Sequence, residues 1–217
     1  MPARSFLHHV ARLAALYTAT LAALVLLLSG AHASAQARTF TATTGSRMQF
    51  VSNAPLERIT GVSTTVAGQL SVDPAHLATA TGRITVPITS IRTGLDLRDE
   101  HLRSPAWLDA PAHADAVLEI TRVEGAAALT PNQVVRVTLR GRFSIHGHTR
   151  DVSIPAQVRL VPASAELAAQ GIHGDLIRAQ ASFTVSLPDY GVAVGPLVRL
   201  KVSDTIQVNV TIRLTSG

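Results

Sequence analysis

After residue 38 the chain alternates apolar and polar positions with a period of two. That is the mark of strands with one dry and one wet face. Val135, Val137, Leu139, Phe143 and Ile145 share one parity, with Arg136, Thr138, Arg140, Arg142 and Ser144 on the other. Val152, Ile154, Ala156, Val158 and Leu160 alternate with Asp151, Ser153, Gln157 and Arg159. The run from Ile177 to Leu187 repeats the pattern through Ala179, Ala181, Phe183 and Val185. The most regular run places Val198, Leu200, Val202, Ile206, Val208, Val210, Ile212 and Leu214 on one parity. Earlier strands are predicted at 38–43, 46–52, 59–72 and 80–91, with a shorter one at 116–123. Thr44-Gly45 reads as a tight hairpin between the first two.

Strands of ten residues or more are long for a sandwich. Long antiparallel strands with one wet face predict a sheet rolled on itself. Gly141, inside a strand, marks a bend or a bulge. Helix is scarce, with short segments at 95–104 and 164–170. The expected class is all-β with short helices, as an antiparallel eight-stranded barrel formed by residues 38–217. Eight or nine strands are enough for a barrel that holds one ligand.

The dry face is short of bulk. Phe40, Phe50, Trp107, Phe143, Phe183 and Tyr190 are the aromatics after residue 38, and Ala156, Ala179 and Ala181 are small. A barrel of this size is either filled by large side chains or left with an apolar cavity. The dry parity nominates Phe143, Ile154, Ala156, Ala179, Ala181 and Phe183 as a ligand-facing set. Tyr190, in Asp189-Tyr190-Gly191, either meets a polar ligand head or locks a corner. A flattened barrel with a solid core is the competing expectation.

One stretch breaks the strand pattern. From Arg92 to Ser104, Gly94 opens a turn, and Arg98, Asp99, His101 and Arg103 are four of the ionisable groups crowded between Leu97 and Ser104. Such an interruption closes a barrel end or lines the mouth of a pocket. Arg98, Asp99, His101, Arg103 and the following Trp107 are therefore assigned to the barrel mouth, with an Arg–Asp pair holding it and a direct ligand or catalytic role as the alternative.

The first 37 residues have a different pattern. Arg4 and Arg12 precede an apolar run from Leu13 to Leu28, followed by small residues through Ala33-Ser34-Ala35 and Ala35-Gln36-Ala37. This is the order of a secretory signal peptide, here 1–37, with cleavage expected before Gln36 or Arg38. A retained membrane anchor is the alternative, but the run is short for a span and contains Thr18 and Thr20. Cleavage would leave no membrane span and place the chain in the periplasm or outside the cell. With no cysteine, stability must come from packing and strand pairing.

Composition narrows the chemistry. Without the leader, 17 basic side chains face 14 acidic ones, scattered along the chain. No basic stripe with interleaved aromatics occurs, so nucleic acid is not an expected partner. Nucleophile-elbow, phosphate-loop, zinc-protease and dinucleotide motifs are missing. His146-Gly147-His148 offers two imidazoles but no further ligand at a suggestive spacing, so it reads as a hairpin tip rather than a metal site. Asp99 and His101 have no nucleophile beside them in sequence. No metal, cofactor or catalytic residue is expected.

Four segments, taken in order and spacing, resemble the YceI-like family. They are Thr93-Gly94 with Arg98 to Ser104, then Phe143 to Val152, then Asp189-Tyr190-Gly191, and finally Val202 to Val210. The resemblance spans roughly Phe40 to Leu214. It implies a lipocalin-like barrel in an exported bacterial protein that binds a polyisoprenoid or other long-chain lipid, as a non-catalytic carrier or store. Ala54-Pro55-Leu56-Glu57 fits a subset of the family, Pro105-Ala106-Trp107-Leu108 replaces a Phe-rich stretch, and 163–170 looks inserted. A structural or stress-response envelope protein with a filled core and a protein partner is the second reading. An enzyme acting on a lipophilic substrate is the third. Monomer and homodimer are both left open.

Overall fold

The computed structural model describes residues 36–217. The signal peptide expected at 1–37 lies almost wholly outside them. Ten strand segments form one antiparallel sheet: β1 (Arg38–Ala42), β2 (Arg47–Asn53), β3 (Arg58–Ser63), β4 (Ala67–Val72), β5 (Thr81–Pro87), β6 (Asp115–Glu124), β7 (Val134–Ile145), β8 (His148–Val161), β9 (Leu176–Ser186) and β10 (Thr205–Thr215). The hydrogen-bonded order β1-β4-β5-β6-β7-β8-β9-β10 closes through a β1–β10 pairing. β2 continues β1 along the same neighbour: Ala42 pairs with Leu214, and Arg47 with Thr211. β3 and β4 likewise lie end to end beside β2 and β1. The ten segments are thus the eight staves of a barrel closed through β1–β10.

Thr44-Gly45 is not a hairpin. A hairpin would reverse the chain, but β1 and β2 both run antiparallel to β10. Gly45, at φ 84°, makes a kink within one stave. The Ser46 hydroxyl fills the ladder there. It accepts the Arg213 N–H at 3.0 Å and donates to the Thr43 carbonyl at 2.9 Å.

The second stave breaks at 64–66, where the buried Ser63 hydroxyl accepts the Thr65 N–H at 3.0 Å. The final alternating run is strand only from Thr205 onward. Val198–Leu200 is a 3-10 turn, and its parity is a coincidence of loop sequence. β6 is two residues longer than expected. It carries the bulge that Gly141 foretold: Ile120 faces Gly141, Arg122 faces Arg140, and Thr121 is the extra residue. A Cβ on Gly141 would lie 1.8 Å from the Glu119 carbonyl oxygen, so only glycine lets β6 approach this closely.

Two short helices, α1 (Asp96–Arg103) and α2 (Ala165–Ala169), match the predicted segments. Ser164 caps α2 by accepting the Leu167 N–H. Leu167 then packs with Ile172 and Leu176. The inward parity is the predicted one. Phe40, Ile154, Ile177 and Leu214 are fully buried on it, while the outward faces of β5, β6 and β7 carry the cross-strand bridges Arg83–Glu119 and Arg142–Glu119 at 2.8 and 2.7 Å.

The β8–β9 ladder covers only the lower half of the wall. It ends at Ala156 opposite Ala181, next to Pro155, which has no N–H to donate. Above that point Phe143, Val185 and Tyr190 pack together beside the separated strands.

Candidate functional site

The staves enclose a cavity of about 540 Å³ in the upper half of the barrel. Its wall is nearly all side-chain hydrocarbon and aromatic ring: Phe50, Ile59, Val86, Trp107, Phe143, Phe183, Val185, Ile206 and Val208 all face it. Below it lies a second, smaller space of about 90 Å³. This one is lined by Ile154, Ala156, Ala179 and Ala181 together with Leu70, Leu77, Leu129 and Val137.

The predicted ligand-facing set is therefore divided. Phe143 and Phe183 line the upper cavity. The three alanines and Ile154 line the lower one, because they sit deeper along β8 and β9. Tyr190 faces neither space. Its ring meets Phe143 edge to face with centroids 5.6 Å apart, and Phe143 meets Phe183 likewise at 5.5 Å. Burial pushes the Tyr190 phenol up; nearby Arg150 opposes the shift, and Asp189 adds to it. It sits at the end of the 3-10 turn Leu187–Tyr190 and packs with Phe143 and Val185.

The mouth is built by the loops at the upper barrel end, which hold Glu57, Thr93, Arg98, His101, Trp107, Leu197, Val198 and Lys201 around the opening. Three of the five residues assigned to the mouth are placed at it. Arg98, His101 and Trp107 line the cavity directly. Asp99 is buried beneath α1, and Arg103 reaches it only at 3.9 Å.

The expected Arg–Asp pairing takes a different form. Arg98 bonds Glu57 at 2.6 Å, strapping α1 to the β2–β3 loop. Asp99 instead accepts the Thr93 N–H and hydroxyl at 2.8 and 2.7 Å. Burial works against its charge, but the Thr93 bonds, with Arg103 and Arg92, outweigh that and hold the carboxyl below the usual range.

His146-Gly147 forms a two-residue turn with φ of 52° and 72°, the geometry of a type I′ hairpin. The His146 ring bonds the Tyr190 carbonyl at 2.9 Å, so the tip is pinned to the 3-10 turn Leu187–Tyr190. The fold also brings up His113, which sequence spacing did not show, with its ring centroid 5.8 Å from that of His146. Among the described residues no three His, Cys, Asp or Glu side chains are placed to hold a metal ion.

The rim adds a feature that no motif announced. Leu56, Leu95, Leu97, Leu197, Val198 and Leu200 are large apolar side chains left exposed on the mouth loops. The Leu56 N–H donates to the Leu200 carbonyl at 2.8 Å, and Arg98–Glu57 joins the same loop to α1. The six thus belong to one connected set of loops around the opening.

A family model described as the YceI-like domain matches residues 39–214. The chain belongs to the YceI-like family. Among curated relatives, a UPF0312 protein of Vibrio parahaemolyticus is 29% identical over 99 residues, 46% of this chain and 49% of that protein. One from Vibrio cholerae is 28% identical over 92 residues, 42% and 44% of the two chains. The chain matches about half the length of these relatives.

Solved structures with the same fold include a polyisoprenoid-binding domain from Saccharophagus degradans implicated in plant cell wall breakdown. It is 17% identical, with a TM-score of 0.65, over 83% of this chain and 99% of that one. BcnA of Burkholderia cenocepacia is 19% identical, with a TM-score of 0.60, over 77% and 95%. At these identities the likeness is one of fold. No helix among the described residues is long and apolar enough to cross a membrane.

Proposed function

We propose that this YceI-like protein is exported and carries one long-chain apolar molecule, an isoprenoid or another lipid, in the upper cavity without catalysing its conversion. The observation behind this reading is the cavity of about 540 Å³, apolar through its depth and polar only at the mouth. A space of that size falls within the range of small-molecule sites. A solid core, as the structural reading requires, would leave no such void. Leu56, Leu97 and Leu197 around the opening suit a protein that collects its cargo from a lipid phase. The polyisoprenoid-binding neighbour of like fold is consistent with the same ligand class.

Trp107 is the sole tryptophan and lines the cavity, so it is a built-in reporter. Adding geranylgeraniol to the purified protein, residues 38–217, should shift Trp107 emission and saturate at one equivalent. Native mass spectrometry of the same sample should show the one-to-one adduct. Unchanged emission and a bare protein mass at saturating alcohol would overturn the carrier reading and favour the structural one.

A further inference from the structure

The two spaces in the barrel share part of their walls. Ile84, Leu118, Phe183 and Val210 line both. Ile84 and Leu118 stand on the neighbouring staves β5 and β6, and Phe183 and Val210 on the neighbouring staves β9 and β10. In the ring order these two pairs lie on opposite sides of the barrel. They ring the level at which the two spaces meet, here called the waist. Phe183 is the bulkiest of the four, and its ring is braced edge to face by Phe143.

We propose that this waist sets the chain length of the ligand, with Phe183 as the residue that determines it. The proposal rests on the carrier reading and specifies the cargo: a single apolar chain of about eighteen to twenty carbons. A methylene occupies about as much room as a water molecule, roughly 30 Å³ of liquid volume. At that allowance the upper cavity of about 540 Å³ has room for about eighteen carbons, which sets the scale of the cargo. A longer chain must pass the waist. Below it, about 90 Å³ admits only some three further carbons before Leu77 and Leu129 close the floor. Ala156, Ala179 and Ala181 make that lower space, and Phe183 separates it from the upper one.

The consequence is a break in a chain-length series. Each added methylene should tighten binding about three- to fourfold while it still finds room in the upper cavity. Past the waist that gain should stop.

The test measures Kd for saturated fatty alcohols from twelve to twenty-four carbons by Trp107 emission, confirmed by native mass spectrometry. The wild-type protein should gain affinity up to about eighteen to twenty carbons and then level off or weaken. Phe183→Ala removes the ring from the waist and joins the two spaces, so its break should move at least three carbons longer. Leu118→Ala opens the opposite side and should move the break in the same direction by less, which provides a second variant if the first fails to fold. Phe183→Ala combined with Ala181→Leu, which refills the lower space, should bring the break back toward the wild-type length. A wild-type series that keeps tightening to twenty-four carbons overturns the proposal. So does a break left in place by both waist variants. Failure of every alcohol to bind the wild-type protein would instead count against the carrier reading itself.

Discussion

The carboxylate of Asp99 accepts both the N–H and the hydroxyl of Thr93, at 2.8 and 2.7 Å, and is almost wholly buried in doing so. It ties α1 to the strand-like segment that precedes it and so holds the polar side of the mouth in place. Truncation would leave the part-buried Thr93 N–H without its partner. Asp99→Ala should destabilise the protein by about 1–3 kcal/mol, read as a lower Tm.

The acid limb of stability offers a second reading of the same carboxylate. Its folded-state pKa is depressed, so its contribution is complete above the unfolded value near 4 and is lost as pH falls through the folded value. The stability gap between wild type and Asp99→Asn should therefore be widest at neutral pH and shrink below about pH 4. Urea unfolding at a series of pH values measures it, and a gap that widens on acidification would contradict the assignment.

The Arg98–Glu57 bridge at 2.6 Å should govern access more than stability. Both side chains are partly exposed, 28% and 33%, and such pairs contribute about 0–1 kcal/mol. Arg98→Ala should leave Tm within a few degrees of wild type and yet speed ligand release, because the β2–β3 loop loses its tie to α1. Stopped-flow displacement of bound alcohol, followed at Trp107, separates the two effects.

Gly141→Ala should be among the most damaging single-methyl additions in the barrel. The new Cβ would fall 1.8 Å from the Glu119 carbonyl oxygen, which belongs to the backbone of β6 and cannot step aside as a side chain would. The loss expected is more than about 2 kcal/mol, from strain and a broken bulge. Thermal unfolding of the variant is the check.

The exposed leucines of the rim should act in transfer and not in equilibrium binding. Leu56 and Leu97 are 69% and 65% exposed and lie outside the cavity lining, so polar replacements remove little buried surface. Leu56→Ser with Leu97→Ser should slow uptake of a fluorescent alcohol from phosphatidylglycerol–phosphatidylethanolamine vesicles by several-fold. Affinity for the same alcohol presented in detergent should stay within about twofold of wild type.

The period-two pattern was enough to assign the class, most of the strands and the inward parity, because each buried stave must keep one face dry along its whole length. Residues 92–104 stood out as the mouth for the same reason: ionisable groups as close together as Arg98, Asp99, His101 and Arg103 have no place on a dry face. The family, too, was legible from four short segments in order.

What the pattern did not hold was depth along the barrel axis and partnership across it. Parity puts Ala181 and Phe183 on the same face but does not tell that a waist lies between the spaces they line. It marks Arg98 and Asp99 as polar neighbours but does not tell that one reaches Glu57, 41 positions away, while the other serves Thr93. The Thr44-Gly45 kink read as a hairpin because both need the same turn residues, and only the shared pairing to β10 distinguishes them. The alternation at 198–202 read as strand because parity needs no partner, whereas a strand does. Local sequence sets the periodicity of a segment; the closure of the barrel sets which residues it meets, how deep they lie and how large a space is left between them.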